Sequence, residues 1–361
     1  MFWLFVFLTC FCILSDWLAW WKVSQEKTAI LSQKPLVSIL VAARNEEDKI
    51  LACLESLAKL SYPHLEILIG EDNSSDNTLN IVQDFVKNHR QFAVIQIKES
   101  FGNAIAKANV LAQLARKAKG QWLFITDADV QVPPDWIENM LAAGSKSEII
   151  TGFTWVKGKG LFAILQALDW TFALAIAKLF SKFGLALTAM GNNMAVCKEA
   201  YLQTGGYENM PATLVEDFAL FKKIAIDEKK AFHQAFSPKI MVETKAIDNF
   251  GRFLRQRKRW MQGALQATWF AKMYLLMRVG FYPLFWLVLM LEAAPLQSIF
   301  ILFLNKLFWQ SIALYKFLQI MGKGRHIWAF WLYDLYLAIL SLILPIYYLI
   351  PLKTKWKERA F

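Results

Sequence analysis

Cysteine and histidine are scarce, with four of each in 361 residues. Cys10 and Cys12 lie in an apolar run, Cys53 and Cys197 stand alone, and His64, His89, His233 and His326 are scattered. No zinc-site spacing and no disulfide framework is visible, which argues against both and suits a reducing compartment. Internal repeats and low-complexity tracts are also lacking. Charged residues make up only 19% of the chain, against 56% hydrophobic and 15% aromatic, and the mean hydropathy is +0.32. A disordered chain would be poor in apolar residues, and a single soluble core does not need this many. The 40 Lys and Arg against 29 Asp and Glu give a net charge of +11. Apolar excess with basic flanks reads as a membrane protein. Nucleic-acid binding would require a basic stripe on a suitable fold and fits badly with long runs of Trp and Phe, so no nucleic acid is expected.

Residues 1–21 are apolar except for Thr9, Ser15 and Asp16, and Lys22 follows. About 20 residues span a hydrocarbon core. No Lys or Arg precedes the run and no small-residue cleavage site follows it, so 1–22 is expected to be an uncleaved span with its basic flank in the cytoplasm. Apolar density returns over 273–352, with candidate spans at 274–292, 295–319 and 327–350. Two arrangements are open: three spans, or four with a hairpin inside 327–350 bent at Pro345. The hairpin would keep Lys323, Arg325 and the basic tail (353–361) on one side.

Between these regions, 34–272 reads as a cytoplasmic globular domain. Strand-like runs at Val37–Ala43, Leu65–Glu71, Ala93–Lys98 and Trp122–Thr126 are separated by helix-like segments at about 46–59, 77–88 and 103–118. The alternation predicts an α/β fold with a mostly parallel sheet and helices on both faces. Ligands of such sheets bind beyond the carboxyl ends of the strands. Three polar clusters, Arg44-Asn-Glu46, Asp72-Asn-Ser-Ser-Asp76 and Asp127-Ala-Asp129, each follow a strand directly.

Asp127 and Asp129 sit at i and i+2 on a loop, where two carboxylates can hold one Mg²⁺ or Mn²⁺ that also binds a nucleotide's phosphates. Taken alone, D-x-D is as readily a solvated turn or an N-cap; its place beside two other polar strand ends favours the ligand. Asp72 can accept from a base N–H or a ribose hydroxyl, whereas Asp76 is more simply a cap. Lys107 is either a phosphate contact or a solvated helix lysine. For Glu216-Asp217, spacing alone favours acidic residues at a helix start over a general base taking a proton from an acceptor hydroxyl. Arg252–Trp260 (RFLRQRKRW) carries five cations. They are suited to anionic headgroups or, at Arg259, to diphosphate oxygens, with Gln256 and Trp260 shaping an acceptor site.

Together these clusters resemble the membrane-bound members of glycosyltransferase family 2. The similar segments are Ser38–Glu46, Glu71-Asp-Asn-Ser-Ser-Asp-Asn-Thr78 (with Glu71 where the pattern has Asp), Thr126-Asp-Ala-Asp129, Gly205-Gly206-Tyr207, Glu216-Asp217 and Gln256-Arg-Lys-Arg259-Trp260. They span about 35–262 in the family's order. The resemblance implies a GT-A nucleotide-diphospho-sugar transferase domain and inversion at the anomeric carbon. Asp217 would be the base with Glu216 beside it, and Asp127 and Asp129 the metal ligands. Glu46, Asp72, Lys107, Asp127 and Arg259 would contact the nucleotide sugar, with uridine the commonest donor base. Gly206, Tyr207, Gln256 and Trp260 would serve the acceptor or product. Gly102-Asn103 stands where family members often have Gly-Lys, so the motif does not itself carry Lys107 over.

The expected activity is an inverting, metal-dependent sugar transfer to a lipid or membrane-associated glycan acceptor. A processive polysaccharide synthase is the alternative, and a narrow bundle of three or four C-terminal spans suits single transfer better. A transporter would not carry some 240 globular residues, and an inactive scaffold would lack one of Asp72, Asp127, Asp129 and Asp217. Pocket shape, from residues such as Asn192, Asn193 and Tyr207, is expected to set specificity. Residues 161–181 are apolar enough to span, yet a crossing there would put Asp129 and Asp217 on opposite sides of the membrane. A helix packed on the domain or lying at the interface is therefore expected, with Asp169 and Lys178 turned from lipid. Labels attached at 159 and 183 are predicted to react from the same side of sealed vesicles; opposite-side labelling would rule out a single site.

Overall fold

The computed structural model describes residues 1–26, 31 and 33–350, with the backbone alone at 355–356 and 359–360. The charges of the basic tail, 353–361, lie outside the described residues. After α1 (Phe2–Lys22) the chain alternates β1 (Val37–Ala43), α2 (Ile50–Ala58), β2 (Leu65–Glu71), α3 (Thr78–Lys87), β3 (Phe92–Gln96), α4 (Ala106–Lys117) and β4 (Trp122–Asp127). Shorter elements follow: β5 (Val130–Gln131), α5 (Trp136–Ala143), β6 (Ile149–Thr151) and β7 (Thr154–Lys157). The long α6 (Leu161–Ser181) precedes β8 (Met194–Cys197), α7 (Lys198–Gln203), α8 (Glu216–Lys222), β9 (Phe232–Gln234) and β10 (Val242–Lys245). Four helices complete the described chain: α9 (Phe250–Gln266), α10 (Trp269–Met290), α11 (Leu296–Ile320) and α12 (Phe330–Leu349).

These elements form two compact units. One comprises Glu26–Trp155 and Thr188–Lys245. Its seven-stranded sheet has the order β3-β2-β1-β4-β8-β6-β9. Four of the six pairings are parallel, and β8 runs antiparallel to both β4 and β6. This is the mixed, mostly parallel α/β sheet expected from the alternation. Every residue of β1 is buried, as a parallel strand covered on both faces requires. Phe124 meets Trp136 edge-on at 5.0 Å. The Trp136 indole N–H donates to Asn193 Oδ1 (2.9 Å), whose Nδ2 donates to the carbonyls of Phe153 (2.8 Å) and Ile240 (2.9 Å).

The other unit comprises Met1–Gln25, Val156–Leu187 and Ala246–Leu352. The stretch expected as one domain, 34–272, is thus divided, because α6 and α9 turn aromatic faces to the apolar helices. Phe172 of α6 lies near Phe317 and Tyr333, and Phe253 of α9 near Tyr336. Among the described residues, five helices are long and apolar enough to cross a membrane: α1, α6, α10, α11, and α12 with the turn before it. In α6, 72% of the most apolar stretch is buried, against 28–39% in the other four. Residues 330–349 form one helix through Pro345. A proline in the last turns removes one hydrogen bond without reversing the chain, and 330–349 contains no Gly or Asn for the turn a hairpin needs.

Helix α1 packs on α10 and α11, with Phe5 stacked on Phe281 at 5.6 Å. Charges inside this bundle are paired: Asp16 with Arg278 at 2.6 Å, and Lys306 with Asp334. Asp334 also accepts from the Tyr282 hydroxyl (2.7 Å) and from Gln310 Nε2 (3.2 Å). An unpaired charge in such a place is expensive. Lys306→Met is therefore predicted to cost about 3–5 kcal/mol by stranding Asp334. The double variant Lys306→Met/Asp334→Leu should recover most of that loss, measured as melting temperature in detergent.

Candidate active site

Parallel register aligns the strand ends of the sheet unit. Ala43 pairs with Glu71 and Ala42 with Asp127, so β1, β2 and β4 finish on one edge. The loops beyond β1 and β2 are bonded to each other. The amides of Asn45, Glu46 and Glu47 donate to Ser74 Oγ (3.1 Å), Thr78 Oγ1 (2.8 Å) and Asp76 Oδ2 (3.1 Å). In return the Ser75 and Asn77 amides donate to Asn45 Oδ1 and Glu47 Oε2, both at 2.9 Å. Asn45 and Asn73 take left-handed φ of 49° and 51°, which asparagine tolerates better than most residues. Asp76 accepts from the Thr78 amide (3.0 Å) and hydroxyl (2.5 Å). Burial opposes its charge, but the bonds from Thr78 and Glu47 hold its carboxyl below the usual range. Asp72 is buried and pairs with Arg44 at 3.8 Å, while Arg44 also donates to the carbonyls of Asp72 and Asn73.

Two lysines organise the carboxylates. Lys107 Nζ, from α4, lies 2.6 Å from Asp127 Oδ1 and 3.1 Å from Glu216 Oε1. Burial works against its charge, but Asp127, Glu216 and Asp217 together push its pKa well above the usual lysine range. Lys49, just before α2, lies 3.3 Å from Asp129 and 3.7 Å from Glu46. Its pKa is also raised, the two carboxylates outweighing burial. Sequence reasoning left Lys107 between a phosphate contact and a solvated lysine, and the structure places it between two carboxylates. Lys49 went unnoticed; the only sequence signal is its position three residues after Glu46.

Glu216 and Asp217 open α8, as acidic residues at a helix start do, but their environments differ. Glu216 is tied to Lys107. Asp217 accepts from its neighbour's amide at Phe218 (2.8 Å) and from the Gly191 amide (2.9 Å). A Cβ on Gly191 would stand 2.5 Å from the Asp217 Cβ, so only glycine admits this approach. Burial, then the adjacent Glu216, raises the Asp217 pKa, with Lys107 and the two amides opposing. Gly206 has a φ of 70° and precedes the buried Tyr207, whose hydroxyl has no hydrogen-bond partner among the described residues. Burial, then Glu216, raises the pKa of that hydroxyl far above its ordinary value. Asn192 and Asn193, expected to shape a pocket, are scaffold groups: Asn192 Oδ1 accepts from Thr154 (2.9 Å), its carbonyl from Thr126 (2.9 Å), and Asn193 lies in the core.

Gln256, Arg259 and Trp260 lie on α9, in the helical unit. There Arg257 pairs with Asp169 of α6 at 2.6 Å and stacks over Trp260 (4.5 Å to the ring centre). Asp169 therefore has a protein partner, and Lys178 is buried.

Asp127 and Asp129 offer two hard oxygen donors on one loop, partly exposed. Among the described residues, no group of three or more His, Cys, Asp or Glu could hold a metal alone. The donor set fits Mg²⁺ or Mn²⁺, which take one or two carboxylates and fill the remaining positions with water and substrate phosphates. For stability, an acid whose folded pKa is raised costs nothing below its unfolded pKa and its full penalty above the folded one. Asp217→Asn is therefore predicted to raise the melting temperature by a few degrees at about pH 8, the gain vanishing as pH falls below about 4, the ordinary carboxylate value.

Comparison with known proteins bears on the fold and the family. A mannosyltransferase from Pyrobaculum calidifontis, solved with GDP-Man and Mn²⁺, superposes with a TM-score of 0.61 over 92% of this chain and 98% of that one. At 19% identity the likeness is one of fold. The poly-β-1,6-N-acetyl-D-glucosamine synthase of Staphylococcus epidermidis is 26% identical over 63% of this chain and 54% of its own. A β-monoglucosyldiacylglycerol synthase from Trichormus variabilis is 30% identical over 64% of this chain and 49% of its own. The chain thus spans about half the length of the curated relatives it matches. The motifs resembled family 2, whereas the family model that matches, over residues 1–361, is that of family 21. With an α/β sheet and apolar helices at both ends, the chain belongs to glycosyl transferase family 21.

Proposed function

We propose that the protein is an inverting glycosyltransferase that moves a sugar from a nucleotide diphosphate sugar to a hydroxyl of a membrane lipid. The observation that carries this reading is the difference between the two acids opening α8. Glu216 is neutralised by Lys107, whereas Asp217, among the described residues, accepts from two backbone amides and has a raised pKa. A carboxylate with raised basicity is what a general base needs. Asp217 takes the acceptor proton, the acceptor oxygen forms its bond to the anomeric carbon, and the bond from that carbon to the diphosphate breaks. The sugar inverts through an oxocarbenium-like state and the nucleoside diphosphate departs. A bound Mg²⁺ or Mn²⁺ supplies charge neutralisation for the leaving diphosphate. Asp127 and Asp129 would hold it, Lys107 balances the surrounding carboxylates, and Glu46 and Asp72 line the nucleotide side. Gln256, Arg259 and Trp260 are assigned to the acceptor and diphosphate by their motif, and Gly206 and Tyr207 to the acceptor.

The lipid acceptor draws support from the likeness to a glucosyldiacylglycerol synthase. The likeness to a poly-N-acetylglucosamine synthase favours a polymer as the second reading. A UDP-sugar is the proposed donor, and the sheet unit is proposed to face the cytoplasm in a multi-pass protein. In membranes supplied with labelled nucleotide sugars, the expected product is a lipid carrying one sugar; a ladder of lengths would favour the synthase. Asp217→Asn should lower transfer about 10²–10⁴-fold, and Asp129→Asn should abolish metal-stimulated transfer. Full rates in both would refute the mechanism. Because the Asp217 pKa is raised, the wild-type rate should fall with decreasing pH at a value above the ordinary carboxylate range.

A further inference from the structure

Helices α6 and α9 meet along a seam that neither the membrane nor the transfer chemistry explains. On α6 the seam is Phe162, Gln166, Asp169 and Trp170, spaced i, i+4, i+7 and i+8, which is one helical face. On α9 it is Phe250, Phe253, Arg257 and Trp260, at i, i+3, i+7 and i+10. Phe162 packs against Phe253 at 5.3 Å and Trp170 meets Trp260 edge-on at 5.2 Å. Gln166 binds the backbone just before α9 through both amide atoms: Nε2 donates to the Ile247 carbonyl (2.8 Å) and Oε1 accepts from its amide (3.2 Å). The seam contains one ion pair, Asp169 with Arg257, and the Arg257 guanidinium lies over both Phe253 (4.8 Å) and Trp260 (4.5 Å).

We infer that Asp169 is a positioning residue: through Arg257 it positions the ring of Trp260 and the turn of α9 that carries Gln256 and Arg259. An arginine lying over two rings can slide across them; a carboxylate 2.6 Å from one Nη atom anchors that end of the guanidinium by charge. With the guanidinium anchored over its ring and Trp170 meeting it edge-on, the Trp260 indole is contacted on two sides. Gln256 and Arg259 are the chain neighbours of Arg257 and Trp260 on α9, so their placement follows from how the seam is seated. The functional half of this inference rests on the transferase reading, in which Trp260 serves the acceptor.

The test uses the full chain in nanodiscs, with Asp169→Asn, Asp169→Glu and Trp260→Ala. Hydrogen exchange needs no activity: Asp169→Asn should speed exchange over 253–262 by about tenfold while α10 to α12 stay near wild type. Unchanged exchange there, or uniform loosening of the whole unit, would overturn the positioning role. In the transfer assay, Asp169→Asn should lower transfer to acceptor on the order of tenfold to a hundredfold and leave acceptor-free donor hydrolysis near wild type. Asp169→Glu should restore most of it. In a Trp260→Ala background the same change should cost little more, the non-additivity of residues acting through one another. Equal losses of transfer and hydrolysis, or strictly additive losses, would sink the inference. A wild-type protein that neither hydrolyses nor transfers any sugar would instead sink the transferase reading, with exchange still deciding the role of Asp169.

Discussion

The site depends on one ammonium group. Lys107 reaches from α4 to touch the end of β4 at Asp127 and the start of α8 at Glu216. Without it, Asp127, Glu216 and Asp217 would crowd three negative charges into a largely buried region, and like charges so placed either separate or take up protons. The lysine therefore does two things at once. It joins a strand end and a helix start far apart in sequence, and among the described residues it leaves Asp217 without an ion pair of its own. A similar device operates one loop away, where Lys49 joins Asp129 to Glu46. Each carboxylate of the D-x-D loop thus has one oxygen engaged by an ammonium group, which a donor diphosphate and its cation would meet on arrival.

The helical unit solves its own charge problem by the same rule. Asp16 and Arg278, Lys306 and Asp334, and Asp169 and Arg257 are each paired within it. Polar groups in an apolar bundle persist where each has a partner. The pairs also tie one helix to another, the successive helices α11 and α12 and the sequence-distant pairs α1 with α10 and α6 with α9, as well as neutralising charge.

Much of the fold was legible because its signals are local. Val37–Ala43 and Leu65–Glu71 are continuous runs with a polar residue directly after, and the structure ends both strands there. Leu161–Ser181 is one helix with the expected bounds. What was hidden depends on side-chain direction or on distant partners. Strands β6, β8 and β9 are three or four residues long, too short to show a period. Nothing in the sequence says that Lys107 turns inward, or that Asn193 bonds Trp136 in the core. The assignment of α6 and α9 to the helical unit was missed because their charges look like surface charges until Asp169 and Arg257 are seen to face each other. The motifs pointed to a sugar transferase but not to family 21, because short strand-end motifs do not separate one such family from another.

The central claim is that the Lys107 cluster forms the donor diphosphate site. It is tested most directly by the affinity of the purified protein for a nucleoside diphosphate with Mn²⁺, comparing wild type with Lys107→Arg and Lys107→Met. The account predicts binding in the wild type, a loss of about tenfold or more in Lys107→Met, and an intermediate value for Lys107→Arg. Wild-type affinity in a folded Lys107→Met protein would contradict it.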